Sequence, residues 1–181
     1  MNATPEVTFE PTPGSTADGT AGDTPEATPA SDDPAVSDQV IAATQAALAG
    51  EHACVYGYGV VGAYLSDDAQ TAAREDLAAH ESQRDLLRGY LSALDAVPEA
   101  ASPAYALPFT VDDAASARAF AGELEDRLAA VYLDLVASGP GLDLRRMAAD
   151  ALVASALRRR RWTGEVSAFP GLDEREGAPG G

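Results

Sequence analysis

Residues 37–65 read SDQVIAATQAALAGEHACVYGYGVVGAYL, a stretch in which one face repeats at three- and four-residue intervals. This period predicts an amphipathic helix of about seven turns, and Ser37 is a residue type that caps helix N-termini. The face comprises Ile41, Thr44, Leu48, Glu51, Val55, Tyr58, Gly62 and Leu65. Because Glu51 lies on this mostly apolar face, the pattern predicts a buried carboxylate.

A second helical pattern follows after a very short turn and ends at Pro98, which cannot continue a helix. We expect Asp67 and Asp68 to cap its N-terminus. Its inward face is apolar except at His80 and Arg84. The face comprises Ala73, Leu77, His80, Arg84, Leu87, Leu91 and Leu94.

Residues 95–112 contain three prolines and lack a helical period, which predicts a long connection. Asp112 or Asp113 caps a third helix, which has Glu125 at the edge of its apolar face, and a fourth helix follows over about 142–162. The order helix, short turn, helix, long crossover, helix, short turn, helix is typical of one architecture. We predict an all-α fold, a ferritin-like antiparallel four-helix bundle with one long crossover between helices 2 and 3.

The charge is concentrated outside the predicted helices. The chain carries 29 acids against 12 bases, all of them arginine, for a net charge of -17. Residues 1–37 contain seven acids and no base, are rich in Thr, Pro and Ala, and predict a disordered acidic tail. We expect a second disordered tail at 173–181 and a bundle at 38–172, which holds 19 acids and 11 arginines.

This acidic excess disfavours nucleic acid and anionic membranes as partners, because phosphate groups are bound by clustered basic side chains. No signal peptide or membrane-spanning segment is visible, so we expect a cytoplasmic protein. Cys54 is the single cysteine, which excludes an internal disulfide and a Cys-rich metal site. We expect the arginines at 158–161 to complement the dipole at the end of the fourth helix.

The polar residues on the inward faces support a metal-site interpretation in part. Metal-bearing bundles of this kind need a Glu on each of two helices and Glu-x-x-His on each of the other two. Glu51, His80 and Glu125 could together bind a single iron or another divalent metal. However, Glu81 is followed three residues later by Arg84 instead of a histidine, and the fourth helix has no histidine. The ligand set is therefore incomplete for two metals.

A second interpretation places a salt bridge where the metal would lie. We expect Arg84 to pair with Glu51, because a buried carboxylate needs a counter-charge and a guanidinium matches its geometry. His80 would bond to Glu51 or Glu125, and two tyrosine hydroxyls would join them. This predicts a polar core in place of a metal, with no cofactor and no catalytic residue. Its members are Glu51, His80, Arg84, Glu125, Tyr58 and Tyr132. A third interpretation makes His80 a general base.

Several motifs resemble a known family in the same order along the chain. They are Glu51-His52-Ala53, Tyr56-Gly57-Tyr58-Gly59, Gly62-Ala63, His80 with Arg84-Asp85, Tyr105-Ala106-Leu107-Pro108, Leu124-Glu125 with Tyr132, Trp162-x-Gly164 and Phe169-Pro170-Gly171-Leu172. Over about 38–172 the chain resembles a bacterial ferritin-like family, domain of unknown function 4439. The resemblance implies the ferritin-like fold and no assigned activity, and the chain departs from the Glu-x-x-His pattern of metal-bearing relatives.

Together these observations predict a non-catalytic bundle that acts through binding or assembly. The alternative is a metal-binding protein or oxidoreductase that uses Glu51, His80 and Glu125. Ferritin-like bundles often associate through helix faces, so a homodimer is a further expectation. The residues identify no protein partner.

Overall fold

The computed structural model describes residues 34–165, which form four helices and no strand. The helices are α1 (Pro34–Ala63), α2 (Asp67–Ala93), α3 (Ala114–Ala137) and α4 (Leu142–Thr163). The predicted all-α four-helix fold is confirmed. The predicted C-terminal tail, the motif at 169–172 and most of the predicted N-terminal tail lie outside the described residues. Helix α1 begins at Pro34, so Ser37 lies within its first turn and the expectation that Ser37 caps this helix is wrong.

The helices pair as two antiparallel hairpins, α1 with α2 and α3 with α4. Short turns close each hairpin, and residues 94–113 connect α2 to α3 as the predicted long crossover. Side chains near the middle of α1 contact the end of α3, whereas those nearer its end contact the middle of α3, so the two helices run antiparallel. Of the helix pairs that join the two hairpins, α1 and α3 pack most closely, and they form the main contact between the hairpins.

The helix ends follow local sequence signals. Asp113 is the N-cap of α3, and its carboxylate accepts a hydrogen bond from the backbone N–H of Ser116 at 2.7 Å. At α2 the cap is Ser66, so the expectation that Asp67 and Asp68 cap this helix is wrong, and both lie in its first turn. Helix α4 ends at Thr163, and its C-cap Gly164 has a φ of 77°, a left-handed conformation that favours glycine.

The interior is formed by one face from each helix, and the buried positions recur along the helices at close to the predicted spacing. On α1 the buried side chains include Leu48, Glu51 and Tyr58, as expected, and Leu65 is buried in the turn that follows α1. Gly57 lets α3 approach α1 closely, because a Cβ atom there would lie 2.5 Å from Leu124 Cδ1. No helix within residues 34–165 is long and apolar enough to cross a membrane.

Candidate functional site

His80 lies at the centre of the bundle, and both of its ring nitrogens are hydrogen-bonded to carboxylates. Its Nδ1 is 2.8 Å from Oε2 of Glu51 on α1, and its Nε2 is 3.1 Å from Oε1 of Glu125 on α3. The two glutamates and the histidine are 0–1 % exposed. The imidazole of α2 therefore connects three helices through two buried hydrogen bonds.

Two tyrosines complete this cluster. The Tyr132 hydroxyl donates to Oε1 of Glu51 at 2.5 Å, and the Tyr58 hydroxyl donates to Oε1 of Glu125 at 2.6 Å. Burial and the adjacent carboxylates raise the pKa of both phenols well above the usual value, so both remain donors. The structure thus brings together five of the six residues predicted for the polar core, and we use the name polar core for these five.

The protonation of His80 follows from its surroundings. Burial alone lowers the pKa of an imidazole, but the hydrogen bonds and charges of Glu125 and Glu51 outweigh it and raise the pKa of His80 to about 9. An imidazole donates from both nitrogens only when it is protonated. At neutral pH the polar core therefore holds a buried imidazolium between two carboxylates.

The predicted salt bridge between Glu51 and Arg84 is wrong. The Nε of Arg84 instead lies 3.0 Å from Oδ1 of its neighbour Asp85, and the Arg84 side chain is 24 % exposed. Arg84 lies one helical turn beyond His80, at the edge of the inward face of α2. His80 therefore supplies the counter-charge of Glu51 that the sequence analysis assigned to Arg84.

A third buried carboxylate, Asp76, was not predicted from the sequence. Asp76 is 4 % exposed and accepts a hydrogen bond from Nε1 of Trp162 at 2.9 Å. Nε of Arg158 lies 3.3 Å from it, and the guanidinium of Arg161 binds both of its oxygens. Asp76 thus links the end of α4 to α2. Asp76 lies one helical turn before His80 on the same face of α2, and this position could have predicted its burial from the sequence.

The arginines at 158–161 therefore do more than complement the helix dipole. Arg158 and Arg161 bind Asp76, while Nε of Arg159 lies 3.1 Å from Asp126 on α3. The run lies in the last turns of α4, as expected, but at least three of its members have carboxylate partners on other helices. We conclude that this run is part of the contact between α4 and the rest of the bundle.

Replacing Asp76 by alanine is expected to lower the free energy of unfolding by about 3 kcal/mol, because it leaves the Trp162 N–H and two guanidinium groups without their buried acceptor. The matched control is Asp126→Ala, since Asp126 also pairs with an arginine of α4 but is half exposed. That control should cost about 0.5 kcal/mol. Urea unfolding at pH 7 measures both, and equal losses would contradict the structural role of Asp76.

The polar core does not fit the two-metal centre of metal-bearing bundles. That centre requires imidazoles with a free lone pair and carboxylate oxygens open to the metals. Here the ring of His80 lies between the carboxylates, and three of their four oxygens are hydrogen-bonded. In keeping with this, no three His, Cys, Asp or Glu side chains among residues 34–165 form a group that could hold a metal ion.

Cys54 lies beside the polar core on α1 and is buried. Burial, followed by the negative charges of Glu125 and Glu51, raises the pKa of its thiol well above the usual value. The thiol is therefore protonated at neutral pH. This state agrees with a small apolar packing role, in contrast to the thiolate that metal binding requires.

Comparison with known proteins identifies the family. The family model described as Domain of unknown function (DUF4439) matches residues 43–174. The chain belongs to the DUF4439 family. The resemblance inferred from the sequence motifs is thereby confirmed. No protein of curated function matches this DUF4439 chain.

The solved structures that are similar to this DUF4439 chain include the following two. A conserved hypothetical protein, rv2844, from Mycobacterium tuberculosis is 32% identical, with 73% of this chain and 98% of that chain covered and a TM-score of 0.68. A structure described as ferritin like, diiron-carboxylate proteins from Bacillus anthracis str. Ames is 13% identical, with 71% and 94% covered and a TM-score of 0.56. The second likeness shows that the fold is ferritin-like and extends no further than the fold.

Proposed function

We propose that this DUF4439 bundle is a non-catalytic protein that acts through binding or assembly, and that its polar core replaces a metal centre. The observation that carries this proposal is the pair of hydrogen bonds from His80 to Glu51 and Glu125. A protonated imidazole has no lone pair to offer a metal ion. The positive charge that a metal would supply to these carboxylates is supplied instead by the imidazolium.

The same geometry argues against His80 as a general base. A general base must be unprotonated at the working pH and within reach of a substrate proton. The carboxylates raise the pKa of His80 to about 9, and the residue is 1 % exposed. Both ring nitrogens are also occupied by glutamate oxygens. These features support a structural role for the histidine over an acid–base one.

One observation favours the second candidate function, a metal-binding protein or oxidoreductase. Oε2 of Glu125 is buried and has no hydrogen-bond partner among residues 34–165. A buried carboxylate oxygen without a partner is costly, and a cation is one group that could satisfy it. Metal binding by Glu51, His80 and Glu125 would require His80 to lose a proton and at least one of its carboxylate contacts.

Elemental analysis separates the two functions. Full-length protein purified from culture supplemented with iron, manganese and zinc should contain far less than one metal ion per chain. Adding these metals to purified protein should leave Tm unchanged, because a ligand raises Tm only if it binds the folded state. Stoichiometric metal that is retained in Arg84→Ala and lost in His80→Ala would overturn the proposal and establish the second function.

A further inference from the structure

A cleft of about 240 Å³ lies between α1, α3 and the crossover, and its described lining residues include Cys54 but no member of the polar core. Ala53 contributes to the α1 wall, and Leu124 and Leu128 contribute to the α3 wall. Residues 105–108 of the crossover close a third side. The cleft is therefore formed by three separate segments and is small compared with the pockets that bind drug-sized ligands.

The walls of the cleft are apolar and partly aromatic. The rings of Tyr56 on α1 and Tyr105 on the crossover contact each other, with centroids 5.4 Å apart. Phe120 of α3 lies deeper and is itself held by Phe109, edge to face at 6.1 Å. These aromatic side chains fix the crossover against both helices. Aromatic rings pack favourably against further rings, offset or edge to face, so the aromatic walls of the cleft favour an aromatic ligand.

The charges at the cleft determine which ligands it can accept. Two of the described lining residues are charged, Glu123 and Arg127, and they bind each other, with Nε of Arg127 2.6 Å from Oε1 of Glu123. Both are more than a third exposed, which places this ion pair at the mouth. The other described lining residues carry no charge, so a ligand charge buried between these walls would lack a partner, which is unfavourable.

We propose that this cleft binds a small, uncharged aromatic molecule. The inference names the ligand class for the binding role proposed above and rests on that role. A ligand there would contact Cys54, while the polar core, which does not line the cleft, would keep its hydrogen bonds. The binding site and the metal-replacing core are therefore separate features that can be tested apart.

The test uses two fluorescent probes that differ by one charge. N-phenyl-1-naphthylamine is uncharged, and 8-anilino-1-naphthalenesulfonate carries the same rings with a sulfonate. We expect the uncharged probe to saturate the full-length protein at one per chain and to bind at least about tenfold more tightly than the sulfonate. Equal or tighter binding of the sulfonate would overturn the proposal.

Two variants locate the probe. Ala53→Phe places a ring in the cleft and should weaken binding of the uncharged probe by at least about tenfold. Ala78→Phe adds the same ring at an exposed position on α2 and should leave binding unchanged. Circular dichroism checks the fold of both variants. Unchanged affinity in a folded Ala53→Phe protein would show that the probe binds elsewhere and would overturn the proposal.

A measurement on the unmodified chain covers the case in which Ala53→Phe fails to fold. Methyl resonances of Leu124, Leu128 and Val131 should shift when the uncharged probe saturates the protein, while those of the core residue Leu91 should not. No shift at the cleft methyls would overturn the proposal. Metal content should be measured on the same preparation, so that the two proposals can fail separately. Metal-free protein that binds no probe would refute the proposed ligand site in the cleft, while the proposal that the polar core replaces a metal centre would stand.

Discussion

Replacing His80 by leucine is expected to lower the free energy of unfolding by about 3–5 kcal/mol. Leucine fills most of the space of the imidazole but removes both donors, so the carboxylates of Glu51 and Glu125 would remain buried without their shared cation. Removal of one partner from a buried charged group is among the most destabilising single changes, because the remaining charge stays desolvated. Urea unfolding at pH 7, monitored by circular dichroism, measures the loss.

A combined variant distinguishes charge from packing in this experiment. Adding Glu51→Gln and Glu125→Gln to the His80→Leu protein removes both unpaired charges and should recover at least half of the lost stability. His52→Leu is the matched single control, since it changes the other histidine of the chain at a half-buried position and should have a small effect. Equal losses at the two histidines, or no recovery in the combined variant, would contradict the charge-pairing role of His80.

Raising the pH from 7 to 8.5 is expected to lower the free energy of unfolding by about 2 kcal/mol. The pKa of His80 is about 9 in the folded protein, compared with about 6.5 in an unfolded chain. Because the folded state binds the proton more tightly, this stabilisation is complete below pH 6.5 and disappears as the pH rises through 9. The loss should appear as a falling urea midpoint.

Between pH 7 and 8.5 we attribute the change in stability to the titration of His80. Glu51, Glu125, Tyr58 and Tyr132 face it, and burial together with the carboxylates keeps the pKa of both tyrosines far above the window. A Cys54→Ala background removes the thiol, which would ionise near pH 8.5 in the unfolded chain. In that background the His80→Leu protein should show no fall in stability. A parent protein with constant or rising stability between pH 7 and 8.5 would refute the raised pKa.

Periodicity in the sequence was sufficient to predict the burial of Glu51, His80 and Glu125, because burial depends mainly on which face of a helix a residue occupies. It was insufficient to predict their partners. On a helical wheel Asp76 and Arg84 lie about 40° on either side of His80. Only the packing of α4 distinguishes the two sides, since the side of Asp76 faces Arg158, Arg161 and Trp162 while Arg84 lies at a partly exposed edge.

In the crossover, too, some features follow from the local sequence and others depend on contacts between residues far apart in the chain. Its existence and its end at the Asp113 cap follow from prolines and a capping sequence, which act on nearby backbone atoms. The path of residues 94–113 depends on contacts far away in sequence. Gln45 of α1 binds the carbonyl of Val97 and the N–H of Glu99, and Tyr105 packs on Tyr56. The cleft formed by this path could not be inferred from helical periods.

The bonds of His80 also restrict how the two hairpins can dock during folding. Apolar faces with a regular repeat can slide past each other by one helical turn, about 5.4 Å, and still bury side chains. His80 and Glu51 belong to the same hairpin, whereas Glu125 lies on α3 of the other one. A shift of that size would therefore separate the imidazolium from Glu125 and leave a buried carboxylate unpaired, at a cost of several kcal/mol. The apolar residues therefore drive the hairpins together, while a single histidine selects the one alignment in which they are stable.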